Sequence, residues 1–353
     1  MSHPPDPAIE LITEVTLGGR MERETPPSLQ SQMEGPAYLG PATFLKTPAL
    51  TEPEELDALS PDVAIIGAPW DDSVTYRPGA RFGPRAVRVA NYIHPFWHLD
   101  LEVAPLEQLL VVDYGDAVCA PGLAEESHAR IEERVGEVAD RRIVPLVIGG
   151  DHSITFPSAS AVARSIAPRR LGVLHFDAHA DTADEVFGNL RSHGTPMRRL
   201  IESGAVRGSE FVQIGLRGYW PPPDVLGWMR DHGMRWHLMR EIVERGIGSV
   251  LEQSLTEVLE HADAIYLSVD IDVLDPAFAP GTGTPEPGGC TPADLLWAVR
   301  TIASRVPLVG MDVVEVSPPY DHAEITAQNA NRCLLEAISA LALNARSRPD
   351  VAR

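Results

Sequence analysis

Positive charge is what this chain of 353 residues has least of: 29 Lys and Arg stand against 50 Asp and Glu, for a formal net charge of −21. That balance argues against a nucleic-acid partner, whose phosphates call for Lys and Arg. The same field draws in small cations, although charge of this kind also serves solubility. Cysteine is scarce too. Cys119, Cys290 and Cys333 form no CxxC pair and no disulfide framework, which argues against a thiolate zinc site and fits a reducing cytosol. Cys290 and Cys333 are expected as core thiols. No apolar run approaches the roughly 18 residues of a membrane span, and the opening MSHPPDPAIE lacks a basic stretch followed by an apolar one. A cytoplasmic protein with no membrane partner is expected. No internal repeat or low-complexity tract is present.

What is there is ordinary globular material, 44% hydrophobic and 22% charged. Residues 1–58 are rich in Pro and Gly with little periodicity, and read as a mostly irregular extension that wraps the domain or a neighbouring subunit. Residues 59–345 read as the folded domain and 346–353 as a short tail. Within the domain, "DVAIIGAP", "LLVVDYG", "IVPLVIGG", "LGVLHFD", "FVQIG", "MRWHL", "AIYLSVDID" and "VPLVGMDVVE" are eight short apolar runs. Helical segments over 123–139, 155–166, 194–203, 247–260 and 292–304 lie among them. This alternation predicts an α/β domain with a parallel sheet buried on both faces. The count does not separate a closed barrel from an open sheet, and both place function at the C-terminal ends of strands. In "RPGARFGPRAVR", Pro84 follows Gly83 at a helix start, and the arginines are expected in structural or subunit contacts.

The polar outliers fall at strand ends. "IVPLVIGGDHS" ends in Gly149 and Gly150, which permit close backbone approach, then Asp151 and His152. "LGVLHFDAHAD" ends in Asp177, His179 and Asp181, and "AIYLSVDID" in Asp270 and Asp272. Alternate residues of an extended chain share a face, so each set points one way. Asp151 and Asp275 read as turn or cap residues, and His175 as a hydrogen-bonded core histidine. The remaining four carboxylates and two imidazoles, His152, Asp177, His179, Asp181, Asp270 and Asp272, would repel or demand costly desolvation without positive charge among them. Oxygen and imidazole donors suit Mn, Fe, Ni, Co or Zn. Six ligands exceed the needs of one tetrahedral ion. Two divalent cations roughly 3.5–4 Å apart, sharing aspartates and a water that becomes a hydroxide nucleophile, are the natural solution. Hydrolysis is the expected chemistry.

"GGDHS", "FDAHAD", "SVDIDVLDPAFAPGTGTPEPGG", "HGTP" and "MDVVEVSPPYD" resemble the motifs of the ureohydrolase family, over about residues 62–341. The resemblance implies a three-layer α-β-α fold with an open, mainly parallel eight-stranded sheet, arginase-like rather than a barrel. It implies one ion on His152, Asp177, Asp181 and Asp270, and a second on His179, Asp177, Asp270 and Asp272, with Asp177 and Asp270 bridging. The ions would be Mn or Ni. It gives Glu315 the role of gripping the substrate guanidinium, a planar bidentate pairing. His193 would relay or donate a proton to the leaving amine, and Asp181 would accept a hydrogen bond from the hydroxide. The expected substrate is a small cationic guanidino compound: guanidine, an alkyl guanidine or biguanide, a guanidino acid or agmatine. Arginine is not favoured, because "TADEVFGNLRS" lacks the Ser/Thr/Asn set that matches an α-amino acid. There Phe187 suggests an apolar wall, and Asp184 and Glu185 face a second positive charge or solvent. Trp220, in "GYWPPPD", lies at the site mouth or in a rigid loop against a neighbour. The family is usually a homo-oligomer, trimer or hexamer, and a hetero-oligomer with a related subunit is also open. A non-catalytic partner subunit and a single-zinc deacetylase of similar fold are the competing readings.

Overall fold

The computed structural model describes residues 37–346. All eight apolar runs form strands: β1 (Val63–Ala68), β2 (Val111–Asp116), β3 (Val144–Gly149), β4 (Leu171–Phe176), β5 (Phe211–Leu216), β6 (Arg235–Leu238), β7 (Ala264–Asp270) and β8 (Leu308–Val314). They make one sheet in the order β2-β1-β3-β8-β7-β4-β5-β6, and every pair is parallel. The sheet is open, with β2 and β6 at its edges.

Alternation along each strand sorts its side chains into two cores. Val63, Ile65, Leu146 and Ile148 pack on one face with the helices Gly83–Val89, Ile247–Leu259, Pro292–Arg305 and Ile325–Arg346. Ala64, Ile66 and Val147 pack on the other with Ala124–Ala139, Thr155–Ile166, Pro196–Glu202 and Pro223–Asp231. The result is three layers, α-β-α. The helix Ile325–Arg346 has no counterpart among the expected segments. Its buried face mixes apolar residues with Asn331 and Asn344, which blurs the apolar period. Those amides donate to the carbonyls of Val87 and Ala303, each at 3.0 Å.

Of the extension expected over 1–58, residues 1–36 lie outside the described residues, as do 347–353 of the tail. Residues 44–59 close the sheet edge: Phe44 and Leu45 enter one core and Leu56 the other. Leu50 N–H donates to the Asp113 carbonyl of β2, and Asp113 N–H to the Pro48 carbonyl, which covers unpaired edge groups. Two arginines of "RPGARFGPRAVR" serve the scaffold. Arg81 pairs with Asp71 and Asp72, and Arg88 with Asp113 and Asp116.

Strand order decides where the polar tips meet. The chain lays down β1 to β3, skips two places to β4, runs out to β6, then returns to fill the gap with β7 and β8. The four central neighbours are therefore β3, β8, β7 and β4. Ile148, Val313, Val269 and Phe176 lie level across them, so the residues that follow share one C-terminal ledge.

Candidate metal centre and active site

Two His/Asp groups stand on that ledge. In the first, His152 Nδ1 lies 3.1 Å from Asp177 Oδ2, 3.0 Å from Asp181 Oδ2 and 3.1 Å from Asp270 Oδ2. In the second, His179 Nδ1 lies 3.4 Å from Asp177 Oδ1 and 3.1 Å from Asp272 Oδ2. Within each group the potential ligand atoms lie within 4.8 Å of one another. Asp177 thus gives one oxygen to each. Asp270 turns Oδ2 toward the first group, and its other oxygen accepts the Asp272 N–H at 2.8 Å, which leaves Oδ2 as the atom for the bridge expected of it.

The donor set fits divalent cations. His152 Nδ1 is fully buried and makes no hydrogen bond, although three carboxylate oxygens surround it. A proton there is attracted by all three and well directed at none. Spacings near 3 Å suit atoms that share one ion at about 2.1 Å. Burial alone would drive the charges out, so the group is held by opposition. Burial opposes charge on His152 and His179, but the aspartates outweigh it and hold both well above the usual imidazole range. Asp270 is pushed well up by burial and by the charges of Asp272 and Asp177.

Supporting hydrogen bonds fix which nitrogen faces the centre. Ser268 donates to Asp312 at 2.8 Å, and Asp312 also takes hydroxyl bonds from Thr155 and Tyr266. The Ser268 oxygen is therefore left to accept His152 Nε2–H at 3.0 Å, and neutral His152 presents a lone pair on Nδ1. His175 makes the converse case. Gln213 donates from Nε2 to the Ala180 carbonyl and to His175 Nδ1 at 2.9 Å. His175 Nε2–H then donates to Asp177 Oδ2 at 2.8 Å. His175 lies near enough to His152 and Asp177 to count as a ligand by distance, but its tautomer makes it a donor that aims Asp177. It is the hydrogen-bonded core histidine expected. Asp151 and Asp275 likewise cap turns, accepting Ser153 N–H and Ala277 N–H at 2.9 Å each.

Glu315 follows β8 directly and is fully buried. Its Oε1 accepts the His152 N–H at 2.9 Å and faces His193 Nδ1 at 3.1 Å. Its Oε2 has no partner. Gly283 approaches so closely that a Cβ there would stand 2.8 Å from Oε2. Gly150 is squeezed harder, with room for no Cβ between the Trp70 and Ala68 carbonyls, and its own carbonyl accepts the Glu315 N–H. Glu315 and Asp181 hold φ of 64° and 52°, a left-handed backbone that costs energy and gathers at functional sites. His193, on the loop before Pro196–Glu202, completes the ledge. Burial presses its pKa down, but the hydrogen bond and charge of Glu315, with Asp181 and Asp151, lift it to about 9.

Strand-end reasoning missed Gln213, Ser268, Asp312 and Thr75. Asp312 had a signal, an acidic residue inside an apolar strand. Thr75 follows β1 as the other site loops follow their strands. The rim departs further from expectation. Asp184 pairs with Arg198 and Arg199 at 3.4 and 3.1 Å, so its charge is used within the chain. Phe187 is 94% exposed and forms no apolar wall. Glu185 faces solvent. Trp220 is partly exposed just ahead of the helix Pro223–Asp231. Cys290 and Cys333 are buried free thiols.

A sequence model of the arginase family matches residues 61–339. The guanidinopropionase of Pseudomonas aeruginosa is 42% identical over 88% of this chain and 95% of its own. The structure of proclavaminate amidinohydrolase from Streptomyces clavuligerus superposes with a TM-score of 0.79 at 36% identity, covering 88% of this chain and all of that one. A Trypanosoma cruzi formiminoglutamase solved with Mn2+ gives 0.74 at 25% identity, covering 82% and 95%.

Proposed function

The chain belongs to the arginase family, in the branch outside arginase itself, as a binuclear-metal ureohydrolase of guanidino compounds, and on that premise we propose what each residue does and which substrate it suits. His152, Asp177, Asp181 and Asp270 would hold one cation; Asp177, His179 and Asp272 would hold the other, with Asp270 as the second bridge. The observation that carries this reading is Asp177, whose two oxygens serve two converging groups. When bound, the pair supplies Lewis acidity and a hydroxide nucleophile at neutral pH. Manganese is our first assignment, on the relative solved with it, and nickel the second.

Glu315 grips the guanidinium. Its buried Oε2 is free, while Oε1 is already fixed by the His152 amide. A buried carboxylate with one unpaired oxygen suits a planar cation with N–H groups to give. The grip turns the amidine carbon toward Asp181, whose carboxylate would accept a hydrogen bond from the nucleophilic water and orient it. As the C–N bond breaks, its electron pair goes to the departing nitrogen, and His193 supplies the proton that makes it an amine. Urea, or a substituted urea, is the other product.

For substrate we infer a short guanidino acid, as the name of the 42% identical relative indicates for that protein, ahead of agmatine, guanidine and biguanides. A urea-release screen across these and arginine, with Mn and Ni supplied separately, decides it. Urea from 3-guanidinopropionate above all others supports the inference. Greater release from guanidine or a biguanide overturns the substrate, and none from any compound overturns the reading. No helix among the described residues is long and apolar enough to cross a membrane, and we place the protein in the cytoplasm. We also infer a homo-oligomer, because Tyr92, Ile93, Phe96, Trp97 and Leu99 are large apolar side chains exposed within eight residues of chain. A monomer by light scattering at micromolar concentration overturns that.

A further inference from the structure

His193 has two ring nitrogens and only one of them is free for chemistry. Nδ1 faces Glu315 Oε1 at 3.1 Å, so a proton exchanged with substrate or solvent passes through Nε2. Both contacts of Nε2 come from one residue. Thr75 N–H reaches it at 3.2 Å and Thr75 Oγ1 at 2.8 Å. The two contacts differ in kind. An amide only donates, so it suits a neutral ring with a lone pair on Nε2. A hydroxyl donates to that lone pair and, turned about its C–O bond, accepts from Nε2–H once the ring is a cation. Glu315 draws the ring toward the cation, while the long amide contact favours the neutral form. The hydroxyl alone serves both.

Position supports the same role. His193 is buried, whereas Thr75 is exposed, so Oγ1 spans the wall between the ring and water. The wall is firmly fixed. The Ser73 carbonyl accepts His193 N–H at 3.4 Å and Ser192 Oγ–H at 3.0 Å, and Asn189 Nδ2 donates to Ser73 Oγ at 3.3 Å. The loop after β1 and the loop bearing His193 therefore move as one piece.

We propose that the Thr75 hydroxyl is the proton-handling partner of His193, passing a proton from the water-exposed rim to Nε2 and holding the ring in place in both of its forms. In each cycle the Nε2 proton passes to Oγ1 as the hydroxyl's own proton goes to the departing nitrogen, which receives the C–N electron pair. A rim water then returns a proton through Oγ1 to Nε2, and the hydroxide it leaves is neutralised by the proton lost when the nucleophilic water ionised. Ring and hydroxyl end as they began. Thr75 is in this scheme a catalytic residue that works jointly with His193. The inference rests on the proton-donor role of His193, so the test separates the two.

Thr75→Val, Thr75→Ser and His193→Ala are compared as manganese-loaded full chains, on the substrate that releases most urea. Thr75→Val is expected to lower kcat by roughly tenfold or more, with KM and metal content unchanged and a larger solvent deuterium isotope effect on kcat. Thr75→Ser, which keeps the hydroxyl, restores most of the rate. Wild-type kcat in Thr75→Val beside an inactive, metal-loaded His193→Ala overturns the Thr75 inference and leaves His193 in place. Full activity in His193→Ala overturns the underlying reading. A fall in Thr75→Val carried by KM or lost metal, or one that Thr75→Ser does not relieve, marks a structural contact and also overturns the inference.

Discussion

The floor of the site and its rim follow different rules. The floor is the ledge of β3, β8, β7 and β4, where His152, Asp177, Asp270, Asp272 and Glu315 are all buried. Two of its ligand side chains are set by hydrogen bonds from behind: His152 at Nε2 by Ser268, itself bound to Asp312, and Asp177 at Oδ2 by His175, itself bound to Gln213. The rim, from Asp184 to Leu190, exposes its large apolar side chains Phe187 and Leu190. Close packing leaves the floor few alternatives, whereas loops on a rigid scaffold tolerate change. We assign reaction chemistry to the floor and propose that the rim chooses the substrate.

The sharpest way to break this division is Asp177→Asn. The change removes charge from both groups at once while keeping shape. Metal per chain, measured after gel filtration, is expected to fall from two toward none, and activity to fall by far more than the roughly 10–100-fold that loss of a supporting partner costs. Two ions retained with activity intact would refute the shared-ligand geometry. The wild-type count is itself informative: two ions per chain support the shared-ligand geometry, and one or none overturns it.

His193→Ala comes next, with an expected loss of about 10²–10⁴ in kcat and both ions kept. Its pH dependence carries a sign. A proton donor is active while protonated, so kcat holds below the His193 pKa and is lost as pH rises through it. Glu315 raises that pKa toward about 9 in the metal-free chain, and two nearby cations pull it back down. A basic limb above neutrality that vanishes in His193→Ala is the expected profile. An unchanged limb places it on another group.

How much of this was legible in the sequence follows the same line between floor and rim. The eight strands were visible because a sheet buried on both faces makes apolar runs. The six ligands stood out because charge at the end of such a run is costly without a partner. The order of the central strands was not visible. It brings 148 beside 313 and 176 beside 269, and nothing in local pattern encodes pairing at that separation. The aim of Asp270 was hidden for a related reason: residue type names a ligand, but the Asp272 amide decides which oxygen stays free for it. The helix Ile325–Arg346 escaped through its buried asparagines. On the rim, Phe187 was read as a wall from its apolarity, and Asp184 as facing a second positive charge or solvent. The Asp184 reading did not account for Arg198 and Arg199, fourteen and fifteen residues on.

Gln213→Ala probes the layer behind the floor. Without its amide, His175 loses the bond that keeps its Nδ1 an acceptor and Nε2–H on Asp177. Metal affinity is expected to weaken by about 10–100-fold with the fold retained. Competition with a fluorescent chelator measures it. An unchanged affinity would show that Asp177 is aimed by the ions alone.

The smallest effect is expected at Phe187→Ala, and that smallness is what sharpens the comparison. Phe187 holds φ of 51° on a turn closed by Val186 and Asn189, whose N–H and carbonyl groups pair both ways. The turn is therefore set by backbone bonds, and the ring projects 94% exposed. Removing an exposed ring uncovers no core and leaves no buried polar group stranded, so stability should change by about 0.5 kcal/mol or less. Metal content and kcat should hold, because no floor residue depends on it. KM alone is free to move, and the direction is informative across substrates of different length. If KM rises for the longer guanidino acid but not for guanidine, the ring folds over the tail on binding and the rim selects substrates as proposed. A fall in kcat or metal content instead would mean that rim and floor are coupled, and the division drawn above would fail.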